Sequence, residues 1–211
     1  MPANSQARKN GVQTHGVAYN ARIMAIRTDA YTSVAGQSSG EFLTEDIARA
    51  TTYAVTNGAE IINYSLGGEG VMPINLAAAL SDAASRDVIL VASAGNNGKD
   101  TVTNLIAMWV TSADAAGHGI AVGSVNSANQ ISSFSNKAGS SANFFIVAPG
   151  EAIRAVDNVG DAVTGTGTSM AAPHVSGAAA LLKQARQRFE HQIQPFLAGE
   201  TADDSKQRRF I

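Results

Sequence analysis

"GTGTSMAAPHVSG", residues 165–177, puts a serine where a glycine-loosened segment turns into an alanine-rich helical stretch. Read as turn plus helix, it sets Ser169 at or just before the first helical turn, with Pro173 early enough to be tolerated. Free N–H groups and the positive end of the helix dipole then favour negative charge beside the serine. The small residues that follow (Ala171, Ala172, Gly177, Ala178, Ala179) let this helix pack closely into a core. Such a serine is either a plain helix N-cap or a nucleophile, and a nucleophile needs a base to take its proton.

Upstream, short apolar runs alternate with longer helical patterns. The runs are "ARIMAIR" (21–27), "AEIINYSLGG" (59–68), "DVILVASAGNNG" (87–98), "GIAVGSV" (119–125) and "FFIVAPG" (144–150). Their length and Ile/Val content suit buried strands of a parallel sheet. Between them, "TEDIARATTYAVTNG" (44–58) reads as a helix. Thr44 is its N-cap, Glu45 and Asp46 fill its first turn, Gly58 is its C-terminal cap, and Ile47, Ala50, Ala54 and Val55 form one stripe. "PINLAAALSDAASRD" (73–87) is a second helix with Pro73 at its start. The alternation predicts an α/β fold of three layers, helices covering both faces of a mostly parallel sheet. Ligands of such sheets bind beyond the carboxyl ends of the strands, where "SLGGEG", "SAGNNG" and "APG" fall. The whole chain, 1–211, reads as a single domain. From Lys183 onward it becomes charged, and 186–211 reads as a loosely packed tail of the last helix.

Composition narrows the functions. Of the 211 residues, 45% are hydrophobic and 15% charged, as in a globular chain with a sizeable core. A net charge of −2 gives no electrostatic case for nucleic acid or an anionic membrane as partner. Cysteine is absent, which removes disulfides, thiolate metal sites and cysteine nucleophiles together. No apolar run approaches the roughly 20 residues of a membrane span. "MPANSQARKNG" has no apolar h-region, so no signal peptide is expected in these residues.

Three motifs in fixed order give the serine its context. "GTSMAAPHVSG" resembles the nucleophile motif of the subtilisin-like serine proteases, the subtilases. "VASAGNNG" is similar to that family's strand and turn carrying the oxyanion-hole asparagine, and "INYSLGG" to the strand that lines its substrate cleft. "GVAYNARIMAIR" resembles the family strand that follows the helix of the catalytic histidine. The resemblance implies a subtilisin-like fold and a serine endopeptidase. Ser169 would be the nucleophile, with the Asn96 side chain and the Ser169 N–H as oxyanion donors. It also implies that Ser65, Leu66 and Gly67 present main-chain groups to an extended peptide or protein substrate. Ser93, Ala94 and Gly95 would wall the first specificity pocket, leaving room for a sizeable apolar side chain. Met170 would be the oxidation-sensitive position. No cofactor is required for the chemistry. Structural calcium is a family expectation for which no ligand, and hence no metal-site residue, is assigned. Secretion or a cell-surface location is likewise a family expectation.

The base is the gap in this pattern. The chain has four histidines: His15, His118, His174 and His191. His174 lies five helical residues past Ser169, a turn of about 140° and a rise of about 7.5 Å, so it points away. His15 aligns past the catalytic position, and His118 and His191 match nothing catalytic in the family. The family order is Asp, His, Ser. Both earlier motifs would fall before Ala7, and "MPANSQ" contains neither residue. No lysine stands three residues after a serine to form a Ser-x-x-Lys dyad. The expectation is therefore a subtilase catalytic domain incomplete at its N-terminal side and inactive by itself. Loss of a whole triad costs about 2 × 10⁶ in kcat in this family. The template places the strand leading to the aspartate between those resembling 21–27 and 59–68, so its absence predicts unpaired sheet edges and self-association.

Three other readings compete. A nucleotide-binding domain would need G-x-G-x-x-G or a P-loop, and neither "SLGGEG" nor "SAGNNG" completes one. An α/β-hydrolase would need an acid and then a histidine after the serine, but His191 precedes Asp203 and Asp204. The third is a non-catalytic fragment that binds peptides, keeping the cleft without the chemistry.

Overall fold

The computed structural model describes residues 15–31, 38–156 and 161–197. A short antiparallel pair, β1 (Asp29–Tyr31) and β2 (Ser38–Phe42), precedes helix α1 (Thr44–Thr56). The body follows as β3 (Ile61–Tyr64), α2 (Ile74–Ser85), β4 (Ile89–Ser93), α3 (Leu105–Val110), β5 (Gly119–Val125) and β6 (Phe145–Pro149). A hairpin of β7 (Ile153–Val156) and β8 (Ala162–Gly165) leads into the long helix α4 (Thr168–Leu197). Strands β3 to β6 form one parallel sheet in chain order, with Ile61 beside Ile89, Leu90 beside Gly119 and Ala121 beside Phe145.

Side-chain alternation in β4 shows why the sheet sits between two helical layers. Leu90 and Ala92 enter the core shared with α1, α2 and α3, while Val91, one residue out of phase, packs with Val122, Ala148, Ala171, Ala172 and Val175 on the α4 side. Both sets are buried, so the strand reads as a continuous apolar run. At the end of β3, Tyr64 is buried and bonds to Thr51 of α1 at 2.8 Å. The Thr51 hydroxyl also faces the Ile47 carbonyl at 2.9 Å, so its single proton goes there and the phenol donates to Thr51. Burial pushes the Tyr64 phenol well above its ordinary range, against a smaller opposite effect of the Thr51 bond.

Helix ends follow the sequence with small shifts. Thr44 is the first helical residue of α1 rather than its N-cap; Leu43 holds that position with no side-chain cap, and Glu45 and Asp46 pair with Arg49 in the first turns. At the other end Gly58 N–H donates to the Val55 carbonyl and Ala59 N–H to that of Ala54, the pattern a left-handed residue after the helix produces. Pro73 holds the N-cap position of α2.

One predicted strand is absent. "ARIMAIR" (21–27) joins no ladder, and Ile23 and Met24 are 38% and 41% exposed. Strand preference is realised only against a pairing neighbour. Among the described residues β3 pairs with β4 alone, so its outer edge stays unpaired and 21–27 does not extend it. The pairs β1–β2 and β7–β8 were not legible as strands. Helix α4 runs well past Lys183 to Leu197, and the remainder of the expected tail lies outside the described residues.

Candidate active site

The turn from β8 into α4 reaches the carboxyl ends of the parallel strands, where Gly167 N–H donates to the carbonyl of Gly150, just past β6. Ser169 is the second residue of the helix. Its neighbour Thr168 is fully buried and acts as the pivot. The Thr168 N–H and hydroxyl both donate to Asn96 Oδ1 at 2.8 Å, and the Gly95 N–H reaches Thr168 Oγ1 at 3.3 Å. A backbone N–H can only donate, so the Asn96 atom facing it is the oxygen. The Asn96 amide nitrogen is thereby turned outward, and it makes no hydrogen bond among the described residues. The Ser169 N–H, one of the first-turn donors without an intrahelical acceptor, is free in the same sense. So is the Ser169 hydroxyl.

These groups open on one cleft of ≈ 340 Å³ whose walls include Leu66, Gly67, Ser93, Gly95, Asn96 and Ser169. Thr103, Asn104 and Glu69 also line it, which makes it more polar than small residues alone would. One expected wall residue is placed elsewhere. Ala94 is fully buried in the core shared with α2 and α3, its N–H bonded to the Val122 carbonyl, because alternation along β4 turns its side chain away from the cleft. Ser65, expected to present main-chain groups, directs its hydroxyl to the Ser169 carbonyl at 2.8 Å.

Asn136, which the sequence reading missed, shapes the loop that carries Asn96. It is fully buried. Its Oδ1 accepts from the N–H groups of Asn97 and Lys99 at 3.1 and 3.0 Å. Its Nδ2 donates to the Ala94 carbonyl at 3.0 Å and to Thr103 Oγ1 at 2.9 Å, and its own N–H bonds to the Gly95 carbonyl. Gly95 has φ of 107°, and a Cβ there would meet the Asn136 amide, so this turn admits no larger residue. Thr168 was missed as well. A buried polar residue in a segment without a motif of its own is the only signal that would have found Asn136, and burial is not visible in one sequence.

The four histidines are all described, and none bonds to Ser169. His15 meets Tyr19 edge-on with ring centroids 6.4 Å apart. His174 Nδ1 donates to the Met170 carbonyl at 2.9 Å, which folds the ring back along its own helix. His191 is exposed on α4. His118 Nε2 lies 3.0 Å from Asp87 Oδ1 at the opposite end of the sheet. The hydrogen bond from His118, then its charge and those of Lys183 and Arg186, hold the Asp87 carboxyl below the usual carboxylate range. Among the described residues no group of three or more His, Asp or Glu gathers. No helix among them is long and apolar enough to cross a membrane.

The serine at this helix N-terminus and the amide beside it lie beyond the strand ends of an α/β/α fold built on a parallel sheet. The subtilase family model matches residues 3–207, and the chain belongs to the subtilase family, a family of serine proteases. It is 34% identical over 176 residues to subtilisin of Bacillus pumilus, covering 83% of this chain and 58% of that protein. It is 38% identical over 171 residues to the major intracellular serine protease of Bacillus subtilis (strain 168), covering 80% and 49%. Among solved structures, the patellamide maturation protease PatA is similar with a TM-score of 0.70 and 31% identity, over 87% of this chain and 64% of that one. A cold-adapted subtilisin-like serine proteinase gives 0.67 and 32%, over 81% and 56%. The chain spans about half the length of the curated relatives it matches.

Proposed function

We propose that the chain carries the nucleophile and oxyanion half of a subtilisin-like endopeptidase site and does not by itself hydrolyse peptides at a useful rate. Ser169 Oγ attacks the carbonyl carbon of an extended peptide laid against Ser65, Leu66 and Gly67. The carbonyl oxygen becomes negative as the tetrahedral species forms. Asn96 Nδ2 and the Ser169 N–H donate to it, and donors fixed beforehand need no reorganisation when the charge appears. Each such donor is worth about 10²–10³ in rate. The observation that carries this reading is the Asn96 amide, whose oxygen is held by Thr168 so that only its nitrogen is left to face the cleft.

Attack also requires that the serine proton leave, and no imidazole of the chain bonds to Ser169. The uncatalysed proton loss is the step that keeps this chain slow. The cleft then binds peptide without turning it over. Incubation with a serine-directed fluorophosphonate and a fluorogenic peptide tests both parts. Slow labelling confined to Ser169, further reduced in Asn96→Ala and without peptide release, is expected. Labelling as fast as an intact subtilase's would overturn the inactivity, and labelling elsewhere would overturn the nucleophile.

A further inference from the structure

Helix α4 contains a proline where its own geometry asks for a donor. Pro173 is the sixth helical residue and has no N–H, so the carbonyl four residues earlier, that of Ser169, has no intrahelical partner. Its position is thus past the free first turn, contrary to the sequence expectation, and the helix needs a substitute. The Ser65 hydroxyl supplies it, donating to the Ser169 carbonyl at 2.8 Å. Ser65 is itself oriented. Asn63 Nδ2 donates to Ser65 Oγ at 2.8 Å, and Asn63 Oδ1 accepts from Ser176 Oγ, on α4, at 2.9 Å.

The donors run one way from Asn63 to Ser65 and from Ser65 to the Ser169 carbonyl, while the single Ser176 proton is shared between Asn63 Oδ1 and the Ala172 carbonyl at 3.2 Å on its own helix. A hydroxyl has a single proton. Because Asn63 brings an N–H to Ser65 Oγ, the proton of Ser65 is left for Ser169. Bonds in such a chain polarise and strengthen one another.

We propose that Ser65 is a positioning residue for Ser169, standing in for the backbone donor that Pro173 removes, with Asn63 and Ser176 setting its direction. The first turn of α4 is then tied to the sheet at two points, through Thr168 to the loop after β4 and through the Ser169 carbonyl to the end of β3. The serine hydroxyl and N–H are thereby held in a fixed relation to Asn96 Nδ2. This role rests on reading Ser169 as the nucleophile, but the relay is measurable without turnover.

The test is a double-mutant cycle of Ser65→Ala and Pro173→Ala in the full chain, read by melting temperature and by the carbonyl ¹³C resonance of Ser169. Ser65→Ala alone is expected to lower the melting temperature by about 2–8 °C and to move that resonance upfield. In the Pro173→Ala background a backbone N–H returns at residue 173. The cost of Ser65→Ala is then expected to fall below half and the resonance to return. Equal losses in both backgrounds, or an unmoved resonance, overturn the proposal. Should Ser65→Ala not fold, Asn63→Asp serves instead. Its carboxylate only accepts, drawing the Ser65 proton away from Ser169, and the same upfield move is required. A relay that passes this cycle while fluorophosphonate fails to label Ser169 would leave the geometry and sink the nucleophile reading; the reverse result would do the opposite.

Discussion

The two ends of the parallel sheet carry two unlike polar clusters. At the carboxyl ends of the strands, Ser169 and Asn96 hold a hydroxyl and two donors with nothing among the described residues bonded to them. At the amino ends, Asp87 before β4 and His118 before β5 form a carboxylate–imidazole pair at 3.0 Å, with no serine. A five-residue strand, about 17 Å long, separates the two. The difference lies in how each is held. The donor end is fixed by fully buried polar groups, Thr168 and Asn136, whereas the side chains of the ion pair are 30% and 85% exposed. The Nδ1 of His118 also faces a carbonyl, that of Ala115, so both ring nitrogens find acceptors and the imidazole is engaged as a surface tie. An Asp–His pair is therefore no sign of catalysis without aimed donors beside it.

The sharpest way to break this contrast is Asn136→Ala. It orphans the N–H groups of Asn97 and Lys99 and the Ala94 carbonyl, and is expected to cost about 2–4 kcal/mol in a urea melt. Amide exchange at Asn97 and Lys99 should quicken at the same time. A loss no larger than that of a surface substitution would mean the loop is not held from beneath. A smaller effect is expected from Thr168→Val, which keeps the N–H bond to Asn96 and deletes the hydroxyl. About 1–2 kcal/mol should be lost, and the Asn96 side-chain amide resonances should broaden or shift as the group gains freedom. Unchanged resonances would show that the N–H alone orients the amide.

The smallest effect belongs to the other end. The lowered pKa of Asp87 means that its ionised form is favoured in the folded state. Its contribution is complete above the unfolded carboxylate range, near pH 4, and is lost as pH falls through the lower folded value. Asp87→Asn, which suits the left-handed backbone there (φ 65°), should remove that acid-side slope and leave neutral-pH stability nearly unchanged. Melting curves between pH 2 and 7 measure it; a large loss at neutral pH would mean that this pair is structural after all.

Much of the cleft was legible because its residues sit in contiguous segments whose period and glycine content dictate local shape. Strands β3 to β6 and helices α1 and α2 follow from apolar runs and their flanks, and Ser169 and Asn96 from motifs at strand and helix ends. The segment 21–27 misled for a definite reason: its composition suits a strand, but composition does not say whether the chain is carried to the open edge beside β3. Ala94 was misplaced because a one-residue phase along β4 decides between cleft and core.

The sequence alone determined the α/β alternation, the helix that begins at Thr168, and the serine and asparagine set at element ends, because each depends on residues near in the chain. Only the tertiary structure decided which way the Asn96 amide faces, that Asn136 grips the loop from beneath, and that Ser65 answers for the N–H missing at Pro173. Those are hydrogen bonds between groups tens of residues apart, and their partners are chosen by burial and packing.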